Sequence, residues 1–268
     1  MNEMHRSQLI WGVILLLLGG LMLANSMGIR LPGGLTPTEL FWPLILILAG
    51  LGVMLGIFAR RQTEVEQASL DLQGASEASV QLSHGAGELK LHSGAGMTEL
   101  AHGSFAGGLD QKTHRSGSRL EVRMQPKTDM WVFPFFGPRY RLDWELAFNA
   151  DIPLALTVQA GANKSIIDLH DLRVIDFKLE TGASDTRLTL PAHGRLRADL
   201  DLGAASLEVI FPAGVAGRVR ISSGVSDVKV DEARFPRAGG VYQSPDFDSA
   251  PNAVDLTIDA GVAQIKVR

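Results

Sequence analysis

Four of the seven histidines, His84, His92, His102 and His114, cluster in one short stretch, and a fold that gathered them would offer a transition-metal site. Their spacing contains neither HxH nor HxxxH, and the chain has no cysteine to complete a tetrahedral set. Asp168, Asp171 and Asp176 lie near one another but lack the spacing of a calcium loop, so solvated turn acids are the expectation. A phosphate cradle would join a strand to a helix through glycines. Here Gly161, Gly182, Gly203 and Gly224 recur at a constant interval between strand-like segments. GxSxG, HExxH, Walker and dinucleotide motifs are missing. The residues specify no catalytic site, cofactor or metal, and the expectation is a protein that is not an enzyme.

The elements that carry these residues repeat. VQAGANKSIIDL, LETGASDTRLTLP, LDLGAASLEVIFP and ISSGVSDVKV align on their glycines, and a fixed period of about 21 residues marks a repeat-built fold. Val158, Leu179, Leu200 and Ile221 stand three before the glycine. Ala162, Ala183, Ala204 and Val225 stand one after it, and Ile167, Leu188, Val209 and Val230 six after. Charged residues take the alternate places. The columns predict two short strands per repeat, joined at a glycine turn and stacked over a common aliphatic core. Each glycine is expected to supply a backbone conformation closed to side chains, with Pro191 and Pro212 ending the second strands. Gly85 opens an early rung and Gly261 a final one, so the repeat turns are Gly85, Gly161, Gly182, Gly203, Gly224 and Gly261. A continuous winding and a stack of hairpins fit the period equally well.

Two segments break the period. Residues 92–155 are long enough for an extra hairpin or strand pair, and they hold Trp131, Phe133, Phe135, Phe136, Tyr140 and Trp144. These rings either fold back over the end of the solenoid or meet lipid headgroups or a partner protein, since exposed aromatic patches mark interaction sites. Residues 232–253 form a polar loop that is either mobile or an edge-covering flap.

The N-terminal part of the chain is of another kind. Residues 9–27 and 37–59 contain apolar runs close to the length of about 20 residues that spans a bilayer, predicting a transmembrane helical hairpin followed by a linker at 61–69. Thr36, Pro37 and Glu39 give the second helix a capping box with proline at its first turn. Gly52 and Gly56 form GxxxG, and Gly20 with Ala24 repeats the small-residue spacing; these positions pack the hairpin on itself or on a second copy, making a homo-oligomer an open reading. Arg6, Arg60 and Arg61 flank the hairpin against Arg30 alone in its loop, which by the positive-inside rule sets both termini, and the large domain, in the cytoplasm. Setting aside the charges of residues 1–61 leaves a net charge of about −6 beyond them, so nucleic acid is not an expected partner. The expected architecture is mainly β: a membrane hairpin, then a β-solenoid-like stack over 70–268.

The run WGVILLLLGGLMLANSMGI, a short loop and LFWPLILILAGLGVMLG, with Trp42-Pro43 most distinctive, resemble the transmembrane region of LiaI-type and LiaF-type bacterial envelope-stress proteins. VQLSHGAGELKL, GMTELAHGSF and LETGASDTRLTLP resemble the toast-rack domain of LiaF-like proteins. The resemblance implies a multi-pass protein of the bacterial cell membrane that restrains a sensor histidine kinase. Beside that regulatory class, the repeat architecture alone also fits a structural or adhesin-like module displayed on the surface.

Overall fold

The structure is a computed structural model of the chain and describes Leu23, residues 65–127 and residues 142–268. Alternation of apolar and polar residues is realised as fourteen strands among the described residues: β1 (Val65–Asp71), β2 (Glu77–His84), β3 (Gly87–Ser93), β4 (Glu99–Ala106), β5 (Leu109–Ser116), β6 (Arg119–Pro126), β7 (Trp144–Phe148), β8 (Leu154–Asp168), β9 (Val174–Thr189), β10 (Arg195–Ile210), β11 (Ala216–Val230), β12 (Arg237–Ala238), β13 (Val241–Gln243) and β14 (Ala253–Val267). No helix among the described residues is long and apolar enough to cross a membrane. The expected hairpin, with Gly20, Ala24, Gly52 and Gly56, lies outside the described residues.

The repeat is built differently from the expectation of two short strands per unit. Strands β8, β9, β10, β11 and β14 are each one long strand that runs straight through its glycine. In β8 the buried positions are Leu154, Leu156 and Val158 before Gly161, then Asn163, Ser165 and Ile167 after it. The parity changes across the glycine, and the same switch recurs in β9, β10 and β14. A flat strand would keep one parity. The change means that each strand bends at its glycine and turns both arms onto one core. Short connections then join Asp168 to Val174, and Ile210 to Ala216, so the end of a second arm returns beside the start of the next first arm. The winding is a continuous coil of bent rungs in parallel register, Val158 beside Leu179 and Leu179 beside Leu200.

The glycines serve close approach and not a special φ. None of Gly85, Gly161, Gly182, Gly203, Gly224 or Gly261 has positive φ. A Cβ on Gly203 would lie 2.5 Å from the carbonyl oxygen of Gly182, one on Gly261 2.7 Å from that of Gly203, and one on Gly224 2.8 Å from that of Gly261. The residues after the glycines are not core either: Ala162, Ala183, Ala204, Val225 and Val262 are exposed on the outside of the bend.

Order in space departs from order in sequence. β14 pairs in parallel with both β10 and β11, so the last strand lies between the third and fourth repeats. The 232–253 loop takes the flap form on one arm only. β13 pairs antiparallel with Arg218 and Val219 of β11, and β12 with β13. Phe235 is fully buried, and the Arg234 guanidinium donates to the carbonyls of Phe211 (2.8 Å) and Val215 (2.8 Å), closing the turn beneath.

The early rung is β2 and β3, both parallel to β8. The 92–155 excursion supplies β4 to β7. β6 adds to β2 and β7 to β3, both in parallel, which makes β6 and β7 the two arms of a further rung. Lys127 and Leu142 bound the chain that connects these two arms. β5 closes one layer and β4 then β1 the other, all antiparallel.

Gly203→Ala should destabilise the domain by about 1–3 kcal/mol, the range for forcing atoms into a packed site, whereas Ala204→Ser on the same bend should stay within about 0.5 kcal/mol. Urea denaturation of the two variants measures the difference.

Candidate functional site

The bend of the early rung holds the one buried histidine among the described residues. His84 ends β2 and is 4% exposed. Its Nε2 donates to the carbonyl of Leu142 at 2.6 Å, while Nδ1 has no partner. The ring meets Trp144 edge-on at 5.5 Å, and Trp144 meets Phe105 at 5.0 Å. Leu142 N–H donates to Ala86, and a Cβ on Gly87 would strike the Leu142 carbonyl at 2.4 Å. The backbone at Leu142 is therefore clamped between His84 and the Ala86–Gly87 turn. Burial lowers the His84 pKa, against the hydrogen bond to Leu142 and the charge of Asp143, which raise it.

Trp144 does not belong with the candidate contact surface. It is 1% exposed, and its indole Nε1–H donates to Ala106 O at 3.1 Å. The alternation of β7, which buries Trp144, Leu146 and Phe148, is the physical reason. Trp131, Phe133, Phe135, Phe136 and Tyr140 lie outside the described residues. The ends of their segment are anchored: Lys127 Nζ contacts Glu66 at 2.8 Å in β1, and Leu142 is held as above.

The other histidines of the cluster are not brought together. His92 faces Glu145 at 3.5 Å, His102 faces Glu99 at 3.1 Å, and His114 is exposed on β5. Asp168 accepts from the backbone of His170 at 3.0 Å, and Asp171 contacts the His170 ring at 2.6 Å, a hydrogen-bonded turn. Among the described residues, no group of three or more metal-ligating side chains converges.

What the sequence columns did not flag as a site is the outer face of the second arms. Positions three after each glycine, Lys164, Asp185, Ser206, Gln264 and Asp227, stack across neighbouring strands. Those five after, Ile166, Arg187, Glu208, Lys266 and Lys229, form a second row. They line a shallow groove of about 550 Å³. Glu208 is its hub, within 2.8 Å of Arg187, 3.3 Å of Lys266 and 3.1 Å of Arg268. Desolvation pushes its carboxyl up, but the Arg187 and Lys266 hydrogen bonds and the guanidinium charges outweigh this and hold its pKa below the ordinary value. The recurrence of these polar positions at the repeat interval was the available signal. The groove pairs charges of both signs.

The chain belongs to a known family. Residues 59–210 match the family described as the N-terminal domain of toast_rack, DUF2154. Residues 9–54 match the LiaI-LiaF-like transmembrane region, which makes this a membrane-associated protein of LiaF-like architecture. No protein of curated function matches the sequence. Among solved structures, a candidate cell-adhesion protein from Clostridium sporogenes is similar at 18% identity and a TM-score of 0.67, over 76% of this chain and 99% of that one. A candidate adhesin from Bacteroides fragilis aligns at 9% identity with a TM-score of 0.21, over 76% of this chain and 97% of that one. The first of these likenesses establishes the fold.

Two pH responses follow. A group whose folded pKa is lowered stabilises the fold above its unfolded pKa and loses that contribution as pH falls. For His84 the loss should begin as pH drops below about 6.5, and His84→Gln should flatten that part of a stability-against-pH curve from thermal melts. For Glu208 the loss should begin near pH 4.5, and Glu208→Gln should remove it while lowering stability at neutral pH.

Proposed function

We propose that this chain is a membrane-anchored, non-enzymatic regulator of envelope-stress signalling that binds and restrains a membrane partner, a sensor histidine kinase. The observation that carries the reading is the succession in one chain of a LiaI-LiaF-like transmembrane region at 9–54 and a toast-rack domain from residue 59. The anchor is a two-helix hairpin with both ends in the cytoplasm, as the arginines at its flanks favour. The folded sheet then acts as a stiff platform. Its paired charge rows around Glu208 suit a transient interface, where complementary charge governs specificity and on-rate more than affinity.

Deleting the gene should raise the basal output of a kinase-dependent envelope-stress promoter, and the full-length protein should restore repression. Unchanged basal and induced output would overturn the regulatory role. Topology is tested separately. The chain has no cysteine, so Met97→Cys, at a residue 86% exposed, creates a unique thiol. It should react with a membrane-impermeant maleimide only after lysis, and labelling of intact cells would contradict the cytoplasmic placement.

A further inference from the structure

The β5–β6 hairpin sits at the end of the sheet that also carries β1, the first strand after the membrane region. Between Leu109 and Lys127 the chain holds Lys112, Arg115, Arg119, Arg123 and Lys127 against Asp110 and Glu121. This is a local positive excess in a domain whose net charge is negative. The hairpin register sets Lys112 directly opposite Arg123. Like charges at directly opposed positions destabilise a strand pair. Gln111 to Ser116 are exposed on both faces of β5, because the strand overhangs the core.

Neighbouring acids neutralise only part of this surface. Glu77 is taken by Arg119 at 3.3 Å, and Glu66 by Lys127 at 2.8 Å. Arg123 donates to the neutral amide of Gln81, at 3.2 Å, and Arg115 is turned back onto the carbonyls of Gln73, Gly74 and Gly117. Lys112 and His114 form no ion pair among the described residues. The flap at the opposite end of the sheet is the reverse: Asp231, Glu232, Asp246 and Asp248 outnumber Arg234 and Arg237 there.

The tether between the matched membrane region and the domain is short. The matched transmembrane region ends at residue 54, and β1 starts at Val65. The connecting chain spans at most about 36 Å when fully extended. Glu66, next to the start of β1, holds Lys127 just past the end of β6, so the basic hairpin is tied to the point where the domain is tethered.

We propose that the β5–β6 hairpin is a docking surface for anionic phospholipid headgroups, laying the tethered end of the domain against the bilayer. The proposal rests on the membrane anchor and not on the identity of the signalling partner. Lys112 and Arg123 meet the headgroup phosphates, and the lipid supplies the counter-charge that this pair lacks within the fold. The domain is thereby oriented with its acidic end away from the membrane.

The test uses the full chain in nanodiscs, with an environment-sensitive fluorophore on Ser116→Cys, a unique thiol in a cysteine-free protein. Discs containing phosphatidylglycerol should shift the emission to the blue relative to phosphatidylcholine discs, and high salt should reverse the shift. A Lys112→Gln, Arg123→Gln double variant should weaken docking by about fivefold per charge removed. Both positions are exposed, and an unchanged melting temperature in detergent verifies the fold. The same label on Ser249→Cys, at the far end, should not respond. An identical Ser116 signal in neutral and anionic discs, or one unaffected by the double variant, would overturn the proposal.

Discussion

The domain depends on one contact repeated down a column: the backbone of one rung touching the backbone of the next at a glycine. Gly85, Gly161, Gly182, Gly203, Gly261 and Gly224 stack in that spatial order, and Gly161 N–H donates to Gly85 O at 3.1 Å. A side chain at Gly203, Gly261 or Gly224 would force two rungs apart at the bend. Because the bend forces the change of parity, it is also what lets a single strand contribute to both walls of the core. The aliphatic cluster accordingly draws on both arms, Leu156 and Val158 with Ile167, Leu179 with Leu188, Leu200 with Val209. Packing and hydrogen bonding are thus coupled at the same residues.

Everything polar follows from that arrangement. With both arms turned inward at alternate positions, the remaining positions fall into rows on the outer faces, one strand spacing of about 4.8 Å apart. Rows of this kind give ladders of charge, which explains how Glu208 can gather Arg187 and Lys266 from strands on either side of its own. The surface is therefore ordered by the same repeat as the core. Departures from the repeat occur at its two ends, where the basic hairpin and the acidic flap oppose each other.

Much of the fold was legible in the sequence, because the glycine period and the apolar columns are the direct imprint of the stacked core. Strand ends at Thr189 and Ile210, just ahead of Pro191 and Pro212, were readable for the same reason. Four things were not. The role of the glycines is hidden because close approach and positive φ leave the same residue in the sequence, and only the neighbouring backbone tells them apart. The placement of β14 has no local signature: the interval from Gly203 to Gly224 is the same whether the chain climbs one ladder step or two. Trp144 reads with its aromatic neighbours because the prolines of the preceding stretch hide the alternation that resumes at β7. The charged rows were visible as columns, but their convergence on Glu208 needed the interposed strand.

A single sheet folds along a glycine line and takes its last strand into its middle. Cysteine crosslinking in this cysteine-free chain tests it most directly. Ser206 is the direct ladder neighbour of Gln264 in β14, and Gln264 is that of Asp227 in β11, so Ser206 and Asp227 are two strand spacings apart, roughly 9.6 Å. That exceeds the Cα separation a disulfide tolerates. Under mild oxidation, the Ser206→Cys, Gln264→Cys pair should crosslink readily and the Ser206→Cys, Asp227→Cys pair should not. The reverse outcome would mean that the repeats stack in sequence order and would contradict the account.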